Sequence, residues 1–308
     1  MRGRLSMTLR RTGTTLSAFT VGVLGSVLAA ALLRGHPPGG AARWTRVSHA
    51  GRAVTLYEGP AYAVGAVAGA LAGGAGSPAV VAGLGAAAFG GLDDLVGDSS
   101  SKGLRGHLAG AGRGELTTGL VKIVGLGATG LCGARMIDRA GQRPGVLGTL
   151  VGGAVIAGSA NIANLLDLRP GRALKVVLLL AVPIGAVGRR TTGTSTATAT
   201  PAATSTATAI ASATAGAVAG AAIGALPADL AGRTMLGDTG ANSAGALLGT
   251  ALVARTGLRG RLLALAVVTA LTLASEKVSF TKVIESTPGL RELDALGRPP
   301  RSSPVSAQ

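Results

Sequence analysis

Aromatic side chains are nearly missing from this chain: three Phe, two Tyr and one Trp, or 2% of 308 residues. A soluble core of that size is normally built on Phe, Tyr, Trp, Leu and Ile. Charge is also sparse, at 14% of residues, and only 13 residues are acidic. The single cysteine, Cys132, excludes an intrachain disulfide and any cysteine-cluster metal site. Histidine is confined to His36, His49 and His107, all in the first half of the chain. What fills the space is Gly, 51 residues of it, together with Ala, in a composition that is 47% hydrophobic. The mean hydropathy is +0.48, high for a soluble chain. Small residues dominate where helices pack closely in lipid.

The formal charge of +16 has three candidate sources: nucleic-acid binding, a basic tail, or the loops of a membrane protein. A nucleic-acid surface calls for a basic face with aromatic residues for stacking. Here Arg and Lys instead punctuate apolar runs, which favours a membrane partner and no nucleic acid. Runs long enough to span lie near 14–33, 60–76, 78–92, 115–134, 146–166, 173–188, 209–227, 240–254 and 261–275. The expected fold is therefore all-α, a polytopic bundle of about nine transmembrane helices. Residues 1–12 are expected to form an N-terminal tail, 13–277 a membrane-embedded domain, and 278–308 a C-terminal segment on one face. The first run is read as a helix and not a cleaved signal, because it continues into LAAALLRGHPP without a small-residue cleavage site. TTGTSTATATPAATSTATA (191–209) reads as a flexible low-complexity loop, and the end after Ser303 as a disordered tail.

The few acids occupy informative places. Asp93 and Asp94 end one span (AAAFGGLDDLVGD), Asp167 ends another (GSANIANLLDLRPG), and Asp229 and Asp238 flank the end of a third (ALPADLAGRTMLGDTGANSAG). Any one of them read alone marks a water boundary as readily as a site. Two crossings separate each group from the next, so all should face one compartment. Carboxylates gathered on one membrane face suit a hard cation such as Mg²⁺, which takes oxygen ligands from one or two carboxylates plus substrate phosphates. Lys122, inside GELTTGLVKIVGLG, reads either as a snorkelling lysine or as a fixed positive charge for phosphate. Lys and Arg in loops number 16 on the acid side and 12 on the other, with Lys122 within a span, which makes up the 29. That excess favours the cytoplasmic side of a bacterial plasma membrane for the acids, but four of the opposing 12 are the N-terminal arginines Arg2, Arg4, Arg10 and Arg11, so the bias alone does not decide the orientation.

The order GLDDLVGD, then Lys122, then Asn161-x-x-Asn164-x-x-Asp167, then MLGDTGANSAG around Asp238 resembles the polyprenyl-phosphate N-acetylhexosamine-1-phosphate transferases. That family includes phospho-N-acetylmuramoyl-pentapeptide transferase of peptidoglycan synthesis and enzymes that initiate other cell-envelope glycans. The resemblance runs from about residue 40 to 255. It implies transfer of a sugar-1-phosphate from a UDP-sugar to a polyprenyl phosphate lipid at the cytoplasmic face, release of UMP, and a need for Mg²⁺. Carried over residue by residue, it implies Asp167 and Asp238 as metal ligands. Asp93, Asp94 and Lys122 become catalytic residues, one aspartate taking a proton from or orienting the lipid phosphate. Asn161 and Asn164 would face nucleotide or water. The chain departs from the family pattern after Asp167, where Leu168 and Pro170 stand in place of a Gly and a second Asp. Arg172 and Lys175 would then either supply phosphate contacts or only mark the cytoplasmic edge. The family's late His-rich loop is replaced by EKVSFTKVIESTPGLRELDALGR. There Lys282, with Lys277 and Glu285, either reads the substrate or lies on an amphipathic interfacial helix that only anchors the C-terminus, and the usual tenth span is missing. A non-catalytic relative that binds lipid phosphate or nucleotide is the alternative. A transporter fits less well, because it expects acids in mid-span and inverted repeats.

Overall fold

The computed structural model describes residues 2–48, 51–96, 117–142, 145–186 and 201–299. Among the described residues the chain is all-helical apart from one small hairpin. The helices are α1 (Arg2–Gly35), α2 (Glu58–Ala72), α3 (Ser77–Val96), α4 (Thr118–Ile137), α5 (Gly145–Leu166), α6 (Arg172–Ala186), α7 (Pro201–Leu230), α8 (Gly237–Arg255) and α9 (Leu258–Ser275), followed by the short α10 (Phe280–Ser286) and α11 (Leu290–Ala295). Between α1 and α2, strands β1 (Thr45–Val47) and β2 (Ala53–Thr55) pair antiparallel, and Thr55 bridges to Thr234 in the loop before α8.

Each of the nine apolar runs folds as a helix, but six are long and apolar enough to cross a membrane: 13–35, 77–96, 118–141, 145–166, 205–230 and 258–275. Two of the others, α2 and α6, have 15 residues each. At 1.5 Å per residue that is about 22 Å, short of a hydrocarbon core of about 30 Å. The third, α8, opens on the polar run GDTGANS. The expected loop at 191–209 is corrected in part, since α7 already begins at Pro201. Ala is the strongest helix former and offsets the modest cost of β-branched Thr, so once Ile210 and its neighbours are buried the helix extends N-terminally. Residues 191–200, the end after Ser303 and most of the loop at 93–114 lie outside the described residues.

Glycine decides how the helices meet. On α7, Gly216, Gly220 and Gly224 recur every four residues and face the backbone carbonyls of Thr15, Phe19 and Val23, which recur at the same interval on α1. Any Cβ on that stripe would press into the α1 backbone, so the two helices meet at main-chain distance. Gly65 and Gly69 of α2 also lie against α1, at Ser26 and at Ala18 and Gly22, and Gly69 meets Ala217 of α7 as well. Gly245 and Gly249 do the same for α8 on Ser159 and Ile156 of α5. This packing surrounds α8, whose residues are buried along almost its whole length. The core beside it is mostly Ala, Val and Leu, so dispersion contacts between closely spaced backbones replace the aromatic payload the sequence lacks.

Because the helices alternate, the C-termini of α3, α5, α7 and α9 share one end of the bundle with the N-termini of α2, α4, α6 and α8. The opposite end is held by a buried ion pair. Arg261 of α9 is fully buried and donates to Asp138, which follows α4, at 2.8 Å. Arg261 also donates to the Gly148 carbonyl at 2.9 Å, and Thr149 donates to the second Asp138 oxygen at 2.6 Å. Removing one member of such a pair strands a charge, at a cost of about 3–5 kcal/mol. Arg261→Ala should therefore lower the thermal unfolding midpoint of the detergent-solubilised protein sharply, whereas the neutral double variant Asp138→Asn/Arg261→Met should recover most of the loss. Equal midpoints for the single variant and the parent protein would contradict this account.

Candidate functional site: a lysine-bridged acid cluster

The helix α8 begins inside the bundle, so its first N–H groups have no water to bind and need acceptors from elsewhere. Two carboxylates from two other helix ends supply them. Asp94 accepts from the N–H groups of Asp238 (3.0 Å) and Thr239 (2.8 Å) and from the Thr239 hydroxyl (2.6 Å). Asp167 accepts from the Gly237 N–H at 2.9 Å. Negative charge at this position also complements the positive end of the helix dipole. Gly237 takes φ +60, and a Cβ there would crowd the Asp94 carboxylate and Leu56, so two separate constraints require glycine. Gly90, one turn before Asp94, lets α3 approach the Asp238 carbonyl, which a side chain at that position would meet.

The adjacent acid has a different surrounding. Asp93 accepts from Lys122 Nζ at 3.3 Å, and the same ammonium forms an ion pair with Asp238. Lys122 is placed there by the start of α4, where the Thr117 hydroxyl caps the Leu120 N–H at 3.2 Å and sets Lys122 in the first turns of the helix. Asp93 and Asp238 are themselves within hydrogen-bonding reach of each other. The structure thus brings together Asp93, Asp94, Lys122, Asp167 and Asp238 from α3, α4, the α5–α6 loop and α8. It also divides the Asp-Asp pair: both oxygens of Asp94 are spent on α8, while Asp93 faces the Lys122–Asp238 ion pair.

Beside this cluster lies a cavity of about 320 Å³, lined in part by Arg52 and Val54 of the hairpin region, Asp167, Arg169 and Asp229. Asp229 accepts from the Gly171 N–H at 3.0 Å, which ties the end of α7 to the α5–α6 loop. Burial, reinforced by Asp229 close by, pushes the Asp167 carboxyl well above the ordinary carboxylate range. Glu58, at the start of α2, is buried in the same region and accepts a short hydrogen bond from the Thr234 hydroxyl. Sequence reasoning missed Glu58; the available signal was an acid four residues before the apolar run YAVGAVAGALA.

Other expected site residues go elsewhere. Asn161 donates to the Thr272 hydroxyl of α9 at 3.5 Å, and among the described residues neither it nor Asn164 bonds to the acid cluster. Arg172 is buried and engaged: it meets Asp294 of α11 through two bonds of 2.7 and 3.0 Å, and Thr281 at 2.9 Å. Lys175 caps the end of α11 by donating to the carbonyls of Leu293, Asp294 and Leu296. Arg298 reaches both Asp294 (2.8 Å) and the Pro170 carbonyl (2.8 Å). Burial alone would raise the Asp294 carboxyl, but Arg172 and Arg298 outweigh it and hold it below the ordinary range. Glu285 pairs with Arg169 at 2.9 Å. Lys282 is exposed, on the outward side of α10. The C-terminal segment 276–298 is therefore clamped onto the loop that carries Asp167 and the start of α6.

Magnesium can be tested against these donors. Among the described residues no three His, Cys, Asp or Glu side chains stand close enough to hold a metal by themselves. One or two carboxylates suffice where phosphate oxygens complete the shell. Asp93 and Asp238 already share one cation, the Lys122 ammonium, so hard oxygen donors and a field that attracts positive charge are both present. The donor set fits Mg²⁺ bound together with a phosphorylated substrate. No protein-family model matches the chain, and no curated protein matches it.

The division within the Asp-Asp pair is measurable. Asp94→Ala should destabilise the protein by about 1–3 kcal/mol, since it leaves buried N–H groups at the α8 start without an acceptor. Asp93→Ala removes one partly exposed ion pair and should cost under about 1 kcal/mol. Thermal unfolding of the two variants side by side checks the order, and equal losses would refute the division.

Proposed function

We propose that the protein is a UDP-sugar:polyprenyl-phosphate sugar-1-phosphate transferase of the bacterial plasma membrane, with all nine long helices crossing or entering the bilayer and the acid cluster on the cytoplasmic side. The observation that carries this reading is the convergence of Asp93, Lys122, Asp167 and Asp238, four residues far apart in sequence, at one end of the bundle beside a cavity. Phosphoryl transfer depends mainly on positioning and on neutralising charge. Bound Mg²⁺ would neutralise the diphosphate, held by Asp238 with Asp167. Lys122 would shift from its two carboxylates toward phosphate oxygens as the substrate enters. Asp93, released from Lys122, is the carboxylate free to take a proton from the lipid phosphate or to orient it. Asp94 acts as a positioning residue, because it fixes the backbone of Asp238.

A second reading, a non-catalytic relative that binds nucleotide or lipid phosphate, is favoured by one observation: Arg172 and Lys175, available for phosphate on sequence grounds, are consumed by the C-terminal clamp. UMP release by the purified protein, given polyprenyl phosphate, Mg²⁺ and a panel of UDP-sugars, separates the two. The transferase reading expects UMP with at least one sugar, and a loss of about 10²–10³ in turnover for Asp238→Asn. UDP-sugar binding without UMP release would establish the second reading, and full Mg²⁺-dependent activity in Asp238→Asn would remove Asp238 from the site.

Orientation is checked separately. In a Cys132→Ser background, Leu168→Cys should react with an impermeant thiol reagent only after cells are opened, whereas Arg259→Cys at the opposite end should react on intact cells. The reverse pattern would place the cluster outside and exclude a cytoplasmic nucleotide substrate.

A further inference from the structure

At the end of the bundle opposite the acid cluster, α4 and α5 leave a groove of about 830 Å³ between them. Its mouth carries Arg135 and Arg139, both exposed and one helical turn apart, hence on the same face. Its one carboxylate, Asp138, is neutralised by Arg261 at 2.8 Å and by the Thr149 hydroxyl at 2.6 Å. The groove therefore presents two guanidinium charges with no counter-charge of its own, and among the described residues neither Arg135 nor Arg139 forms an ion pair. Below the arginines the walls turn apolar. Leu131 and Leu150 lie one turn deeper than Arg135 and Val146, about 6 Å along the helices. Val146 is 80% exposed, Leu150 53% and Leu131 41%, and both walls belong to helices apolar enough to span a membrane.

A polar mouth bearing two positive charges, continuous with an apolar trough along spanning helices, matches one chemistry: a phosphodiester headgroup joined to acyl chains. Guanidinium groups bind phosphate oxygens through paired, charge-assisted hydrogen bonds. Ordinary interfacial arginines also snorkel toward water, but snorkelling alone gives no preference for lipid charge. We propose that this groove is a binding site for an anionic phospholipid, with Arg135 and Arg139 on the headgroup phosphate and one acyl chain lying along Leu131, Val146 and Leu150. The site is on the membrane face away from the acid cluster and does not rest on the transferase reading.

The chain provides its own reporter, because its one cysteine, Cys132, is exposed and lines this groove. The full-length protein is placed in nanodiscs of phosphatidylcholine alone or of an equimolar mixture with phosphatidylglycerol, and Cys132 is alkylated with a small, neutral, membrane-permeant maleimide. A seated anionic lipid covers the thiol, so alkylation slows several-fold in the mixture, and Arg135→Gln/Arg139→Gln restores the phosphatidylcholine rate. The control pair Lys277→Gln/Lys282→Gln, at the other end of the molecule, keeps the slowing. In detergent, phosphatidylglycerol raises the unfolding midpoint of the parent protein and not of the arginine double variant. Both arginines are exposed, so the variant retains its fold, which its midpoint without lipid verifies. Equal alkylation rates in the two lipids with no midpoint shift, or a slowing that survives the double substitution, would overturn the proposal.

Discussion

A helix that starts inside a bundle must have its first N–H groups satisfied by the protein itself, and that requirement organises this molecule. The start of α8 is met by Asp94 from α3 and Asp167 from the α5–α6 loop. These bonds draw three helix ends onto one point and bring Asp238 close to Asp93 and Lys122. Structural need and site chemistry are therefore coupled: the carboxylates that cap the helix build the platform on which the remaining acid and the lysine stand. Close approach is possible only because Gly90 and Gly237 carry no side chains where α3 and α8 touch.

The two ends of the bundle treat buried charge differently. At one end Asp138 and Arg261 cancel each other completely, in a pair with good geometry and added hydrogen bonds. Such an arrangement is closed to chemistry, since each charge already has its partner. At the other end the acids Glu58, Asp93, Asp94, Asp167, Asp229 and Asp238 outnumber the basic groups among them, and Lys122 alone bridges Asp93 and Asp238. Acids gathered in this way without matching basic partners are candidates for a functional site. The contrast between the two ends supports a functional role for the acid cluster over a purely structural one.

The C-terminal segment adds a third layer. Arg172, Lys175 and Arg298 fasten α11 to the α5–α6 loop through Asp294 and a set of backbone carbonyls. The same loop carries Asp167 and receives Asp229 at Gly171. Its position is thereby fixed from both sides, by the end of α7 and by the clamp. A loop whose sequence lacks the glycine and second acid of the resembled pattern is held in place by partners 58 to 128 residues away.

The sequence by itself determined the helical class, because unbroken apolar runs of this length suit a spanning helix and not the short alternating pattern of a barrel strand. It located a helix at each of the nine runs, although α1 begins at Arg2 and α7 at Pro201, well before the expected 14 and 209, and it placed the acids at one end by counting crossings. It also singled out Asp93, Asp94, Lys122, Asp167 and Asp238, because charges near spanning helices are costly and few. It did not determine which helices are long enough to span alone, since Ala- and Thr-rich segments such as 201–209 take their structure from what they pack against. Nor did it separate Asp93 from Asp94, neighbours of identical chemistry: helical geometry turns them about 100° apart, so one meets the α8 backbone and the other Lys122. Arg172 read as a phosphate contact and became a clamp because Asp294, distant in sequence, occupies it. Periodicity and charge are local properties that the chain states directly, whereas the partner of each polar group is fixed only when the helices pack.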